Sequence, residues 1–135
     1  MEITKQEIIL KIHLAISVLV VVPAAIIYGF NSSSAFDISL NSVDEHNQFK
    51  AIMGLYLGFS ILWILGIFKV KFLKAALLSN CVFMFGLGFG RVLSWLMDGT
   101  PTLVYQLGVF AELLLGFYGL WVLKNQNILK KRSFA

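Results

Sequence analysis

Charged side chains are scarce in this chain: Asp, Glu, Lys and Arg make up 13% of its 135 residues, against about 25% in an average soluble domain. So little charge excludes both a disordered chain and an ordinary soluble enzyme. Cysteine is nearly missing. Cys81 stands alone, which rules out an internal disulfide, a Cys-x-x-Cys redox pair and the small secreted scaffolds built on them. Proline occurs twice, at Pro23 and Pro101, so long stretches run without a helix breaker. Catalytic signatures are missing as well: no serine sits in a nucleophile elbow, no His-Glu-x-x-His occurs, and no glycine loop precedes a soluble helix. His13 and His46 fall in different parts of the chain, and Asp37, Asp44, Glu45 and His46 read as a solvated acidic loop. No metal, no cofactor and no catalytic residue is expected, and a non-enzymatic protein is the favoured reading.

What the chain has in quantity is apolar sequence: 59% of its residues are hydrophobic. They gather into four runs near the ~20 residues that cross a bilayer core, about 12–30, 51–68, 73–97 and 103–123. The expected fold is all-α, an integral membrane four-helix bundle forming a single domain over 1–135, with a basic tail at 124–135. A secretory signal has an apolar core of only about 7–15 residues, whereas the first run continues through Pro23 to Phe30, so it is expected to stay as a helix. Lys5, Lys11, Lys69, Lys71, Lys74, Lys124, Lys130, Lys131 and Arg132 share one side of this bundle, leaving Lys50 and Arg91 toward the other. Cationic loops stay cytoplasmic, so both termini are expected there. The formal charge of +4 has membrane lipid, not nucleic acid, as its partner, because too little polar surface exists for a nucleic-acid face.

Glu112, in the middle of the fourth run, carries most of the functional information. An ionised carboxylate costs several kcal/mol there unless it is paired or hydrated. Gly108, Gly116 and Gly119 share its helical face, which points it into the bundle. Arg91 on the third run is its natural partner: the Asp98–Pro101 turn makes the two helices antiparallel neighbours, with an offset of roughly 6 Å that an arginine spans. Pairing of Arg91 with Asp98 near its own helix end is the competing geometry, and both stay open. The candidate ligand-binding pocket comprises Asn47, Lys50, Arg91, Ser94, Asp98 and Glu112, with Tyr28, Asn31 and Tyr105 in the same half. The other half is expected to be almost wholly apolar apart from Ser79 and Asn80. An outward-opening cavity and a closed polar knot that fixes helix register are equal readings of that asymmetry. Gly54 and Gly58, Gly86 and Gly90, and Gly108 and Gly116 are expected to serve helix packing, within one chain before a dimer. Trp63, Trp95 and Trp121 read as interfacial anchors.

Three segments carry a resemblance. They are Asn47–Tyr56, the stretch Gly88-Phe89-Gly90-Arg91-Val92-Leu93-Ser94-Trp95-Leu96-Met97-Asp98-Gly99-Thr100-Pro101, and Ala111-Glu112-Leu113. In these the chain resembles a family of small bacterial four-helix membrane proteins, domain-of-unknown-function family 4345. The resemblance implies one multi-pass domain in the bacterial inner (cell) membrane and supplies no activity. The family pattern commonly has arginine where this chain has Lys50, and a lysine keeps the charge but loses planar bidentate recognition. From the residues themselves, the first expectation is an outward-facing polar pocket that binds a small amphiphile or lipid headgroup, with transport as its setting and a homodimer as the transporting form. There Arg91 and Lys50 would meet an anionic group. The alternatives are an accessory subunit packing against a larger membrane partner, and a small lipid-modifying or isomerising enzyme using Glu112 as acid or base.

Overall fold

The computed structural model describes residues 5–125, so most of the basic tail lies outside the described residues. Four long helices cover nearly all of it: α1 (Lys5–Phe30), α3 (Val43–Phe68), α4 (Val70–Asp98) and α5 (Leu103–Lys124), with a one-turn-and-a-half α2 (Ser32–Phe36) between the first two. Each long helix contains a stretch apolar enough and long enough to cross a membrane. The shortest, 22 residues, spans about 33 Å at 1.5 Å per residue, enough for a hydrocarbon core of about 30 Å. Helices suit that setting because every backbone N–H and C=O is satisfied within its own segment. Their outward faces present Leu19, Ile61, Val82, Leu114 and other large apolar side chains. The chain is a multi-pass membrane protein, all-α throughout its described residues.

The helices are longer than the apolar runs because polar residues finish them. α3 begins at Val43, not near 51, under a capping box: Ser42 Oγ accepts from the Glu45 N–H at 3.2 Å, and Glu45 Oε2 accepts from the Ser42 N–H at 3.0 Å. Ser-Val-Asp-Glu before an apolar run is a capping-box signature. The segment read as an acidic loop is therefore a helix start, and its Glu45 carboxylate is occupied by backbone.

The helices pack in chain order, α1 on α3, α3 on α4 and α4 on α5, while α1 and α5 meet only sparingly. The start of α1, the end of α5 and the α3–α4 turn lie at one end of the bundle, the terminal end. α2 and the α4–α5 turn lie at the other, the loop end. The core runs through Leu14, Val21, Ala25, Trp63, Leu73, Leu77, Met84, Leu115 and their neighbours. Trp63 is fully buried, with its indole N–H donated to Ser79 Oγ at 3.2 Å, so it is a core residue and not an interfacial anchor. Trp121, by contrast, is exposed.

The glycines that permit this packing are mostly not the expected ones. A Cβ placed on Gly54, Gly58, Gly86, Gly90 or Gly108 would meet nothing within 4 Å, so none of these five serves close approach inside the chain. Gly116 does: a Cβ there would lie 3.0 Å from the Phe85 ring. Close approach otherwise falls to Gly29 against Met53, Gly66 against Ala76, Gly88 against Leu113, and Gly119 against Cys81 and His13. GxxxG spacing identifies one face of a helix without saying what that face meets, which is why the expectation failed.

Candidate functional site

Gly88 sets the site. A Cβ there would come within 2.6 Å of Leu113 Cδ2, so its absence lets α4 lie close against α5 one position from Glu112. At that level Arg91 turns inward. Its Nε donates to Glu112 Oε1 at 3.0 Å and stands 3.0 Å from Oε2, and its Nη2 donates to the Tyr28 hydroxyl at 3.1 Å. Arg91 is 23% and Glu112 12% exposed at the side chain, so the pair is held mostly inside the protein. Of the two geometries open to Arg91, this is the inward one. Asp98 accepts instead from Ser94 Oγ, 2.8 Å away on the exposed face of the same helix.

Aromatic side chains surround the pair. The Arg91 guanidinium carbon lies 5.4 Å from the Tyr105 ring centre, Tyr28 packs on Phe36 at 4.7 Å, and Tyr56 meets Tyr28 edge-on at 5.7 Å. Tyr105 donates its hydroxyl to the Phe36 carbonyl at 3.0 Å, which fastens α2 over this end of the bundle. Beneath that cover is a cavity of about 180 Å³ between α1, α4 and α5. Arg91, Glu112, Tyr28, Tyr56 and Tyr105 form its polar part, and Val20, Val21, Ala24, Met84, Leu87, Val104, Gly108, Ala111 and Leu115 its apolar walls.

Over residues 9–123 the chain matches a family model described as a domain of unknown function, DUF4345. The chain belongs to this family. The match begins within α1 and ends one residue before α5 does, so α3, α4, nearly all of α1 and α5, and the whole Arg91 cluster lie inside the family domain. No curated protein and no solved structure matches the chain.

The family domain brings together only part of the expected pocket. Arg91 and Glu112 share the cavity, and Ser94 joins Arg91, Pro101, Tyr105 and Val109 around a second recess of about 300 Å³ on the α4–α5 side. Asn47 is exposed on the first turns of α3. Lys50 lines neither of the two cavities that Arg91 borders; its Nζ lies 5.6 Å from the Phe30 ring centre, at a recess of its own. Tyr56 and Phe36 were missed, because an aromatic in an apolar run carries no sign of which face it takes and one in a polar connection carries no sign that it folds back onto the bundle. A long polar residue at each of 91 and 112 is visible, whereas their aromatic cage is not.

The terminal half holds a second polar group, larger than the Ser79 and Asn80 expected there. His13 and Ser17 are fully buried, as is Asn80 beside the buried Cys81. His13 Nε2 donates to the Leu115 carbonyl at 2.9 Å, Ser17 Oγ donates to the His13 carbonyl at 3.1 Å, and the Tyr118 hydroxyl donates to the Ile9 carbonyl at 3.2 Å. The His13 and Tyr118 bonds tie α1 to α5 at the terminal end, where Gly119 leaves room for His13 and Cys81. The expectation of an almost wholly apolar half is thus corrected: His13 stands more than two turns inside α1, too deep to serve as an end-of-span residue.

Proposed function

We propose that the protein holds the polar head of a small amphiphile, taken from the surrounding bilayer, against Arg91 and its tyrosines. The observation that carries this reading is an intramembrane ion pair bordering a cavity. Polar groups inside a membrane are costly, and facing such a pair into a cavity gives a binding group a place to approach. The approach is sideways. α2 covers the loop end, His13 and Tyr118 clasp α1 to α5 at the terminal end, and between these ties the cavity walls Val20 and Val104 are exposed. At about 180 Å³ the cavity falls below the usual range of about 300–1,000 Å³ for a whole small-molecule ligand, so it suits a head whose apolar body stays between α1 and α5 and in lipid.

Charge selects the head. Arg91 is already neutralised by Glu112, Lys50 is absent from the walls, and the remaining polar groups are hydroxyls. An uncharged hydrogen-bonding head, such as a carbonyl or hydroxyl, fits these walls better than a bare anion. An acid–base enzyme would need Glu112 free to exchange a proton, and here it is held by Arg91 at 3.0 Å. The accessory-subunit reading has one observation in its favour: a Cβ at the exposed Gly54, Gly58, Gly86 or Gly90 would meet nothing within 4 Å among the described residues.

Gly108→Leu tests the proposal, because position 108 lines the cavity and has open space at its Cβ. Native mass spectrometry of protein extracted in mild detergent should show an uncharged amphiphile retained by the wild type and lost from the variant, at unchanged thermal stability. Identical retained species in the two proteins would refute it.

A further inference from the structure

A separate recess of about 310 Å³ opens at the loop end, away from the Arg91 cavity. Gly29 and Phe30 at the end of α1, Asn31, Ser32 and Ser33 after it, Ile38, Ser39 and Leu40 before α3, and His46 and Lys50 on α3 form its walls. The Ser32 hydroxyl donates to the Ile38 carbonyl at 3.4 Å and helps fold the loop around it.

The chemistry of these walls is one-sided. His46 and Lys50, four residues apart, stand on one face of α3. Asn31, Ser33 and Ser39 add amide and hydroxyl donors, and no carboxylate is among the walls. The acids nearby have other places: Glu45 caps α3 and Asp98 takes Ser94, while Asp37 and Asp44 are not wall residues. Phe30 is exposed at the recess, and the Lys50 ammonium lies 5.6 Å from its ring centre. An apolar ring beside an ammonium suits the boundary between hydrocarbon and headgroups, where polybasic contacts to anionic lipid operate.

We infer that this recess binds a phosphate group at the membrane surface, either the phosphate of a lipid headgroup or free phosphate, with Lys50 as its charged contact and His46 and the serine hydroxyls completing its shell. The inference is independent of the Arg91 cavity, which is neutralised internally and takes no anion. Charge-assisted contacts to phosphate are about twice as strong as neutral ones, so Lys50 dominates the site.

The test is an NMR titration of the His46 imidazole resonance in the full chain in a neutral detergent, assigned by its loss in His46→Gln. The probes are dihexanoyl phosphatidylglycerol, inorganic phosphate and dihexanoylglycerol, which lacks phosphate. A saturable shift is expected from a phosphate-bearing probe and not from dihexanoylglycerol. A tighter response to the lipid assigns the headgroup, and an equal or tighter response to inorganic phosphate assigns the free ion. Lys50→Gln should weaken binding about five- to tenfold, one charge-assisted contact's worth. Lys50→Arg should retain it, as should Lys74→Gln at the opposite end. No saturable shift from either phosphate-bearing probe, or equal affinity in Lys50→Gln with its spectrum otherwise preserved, would overturn the inference.

Discussion

Arg91 and Glu112 each depend on the other, and that dependence can be measured. Leaving one member of a buried pair alone typically costs about 3–5 kcal/mol, while replacing both by neutral residues of similar size costs less. Arg91→Met and Glu112→Gln should therefore each lower thermal stability in detergent more than the double variant implies, with a coupling above about 0.5 kcal/mol in a double-mutant cycle. Additive effects would mean that the pair contributes nothing as a pair. Tyr28→Phe removes one donor–acceptor partner of Arg91 and keeps the ring packed on Phe36, so it should cost about 1–3 kcal/mol, read from the same melting curves. The pair was legible in the sequence as one of two geometries for Arg91, because charge is so rare there that each buried ionisable residue must find a partner, and the fold decides between Glu112 and Asp98. Its aromatic cage was only partly legible: Tyr28 and Tyr105 fall in the polar half, but Tyr56 sits in an apolar run and Phe36 in the polar segment between two runs, and only the fold shows which way they face.

Among the elements, the contrast between glycines separates packing inside the chain from surface left for other uses. Gly88→Leu should destabilise the bundle by about 1–3 kcal/mol of overpacking, since a Cβ there already lies 2.6 Å from Leu113 Cδ2, whereas Gly86→Leu two positions away should be nearly silent in thermal denaturation. If Gly86→Leu instead dissociated an oligomer at unchanged monomer stability, the accessory-subunit reading would gain over the binding one. The existence of the four long helices was legible, because four apolar runs of bilayer length admit little else, whereas the short α2 in the polar segment between the first two was not. Helix ends were not read correctly, although the Ser42–Glu45 capping box was in plain view, because Asp44, Glu45 and His46 look like an acidic loop when read for charge. The burial of His13 was hidden for a related reason: the apolar run starts beside it at about 12, but α1 begins at Lys5, so it stands within the core.

At the level of the whole molecule, the antiparallel order of four helices places residues 5 and 124 at one end, with Lys69, Lys71 and Lys74 of the α3–α4 hairpin beside them. The proposed orientation puts that cationic end in the cytoplasm. In a Cys81→Ala background, Ser33→Cys should react in whole cells with an impermeant thiol reagent and Lys71→Cys should not. The reverse pattern would invert the orientation and place the phosphate recess on the cytoplasmic side.

The binding proposal rests on the cleft between α1 and α5 being used from the bilayer. A structure of the protein in lipid nanodiscs, at a resolution that shows bound lipid, tests it most directly. Density for a non-protein group is expected in the cleft, with a polar head within hydrogen-bonding distance of Arg91 or Tyr28 and a tail passing Val20 and Val104 into the membrane. A cleft closed by contact of α1 with α5, with Arg91 and Glu112 sealed between them and no such density, would contradict it and leave the pair as a structural clamp.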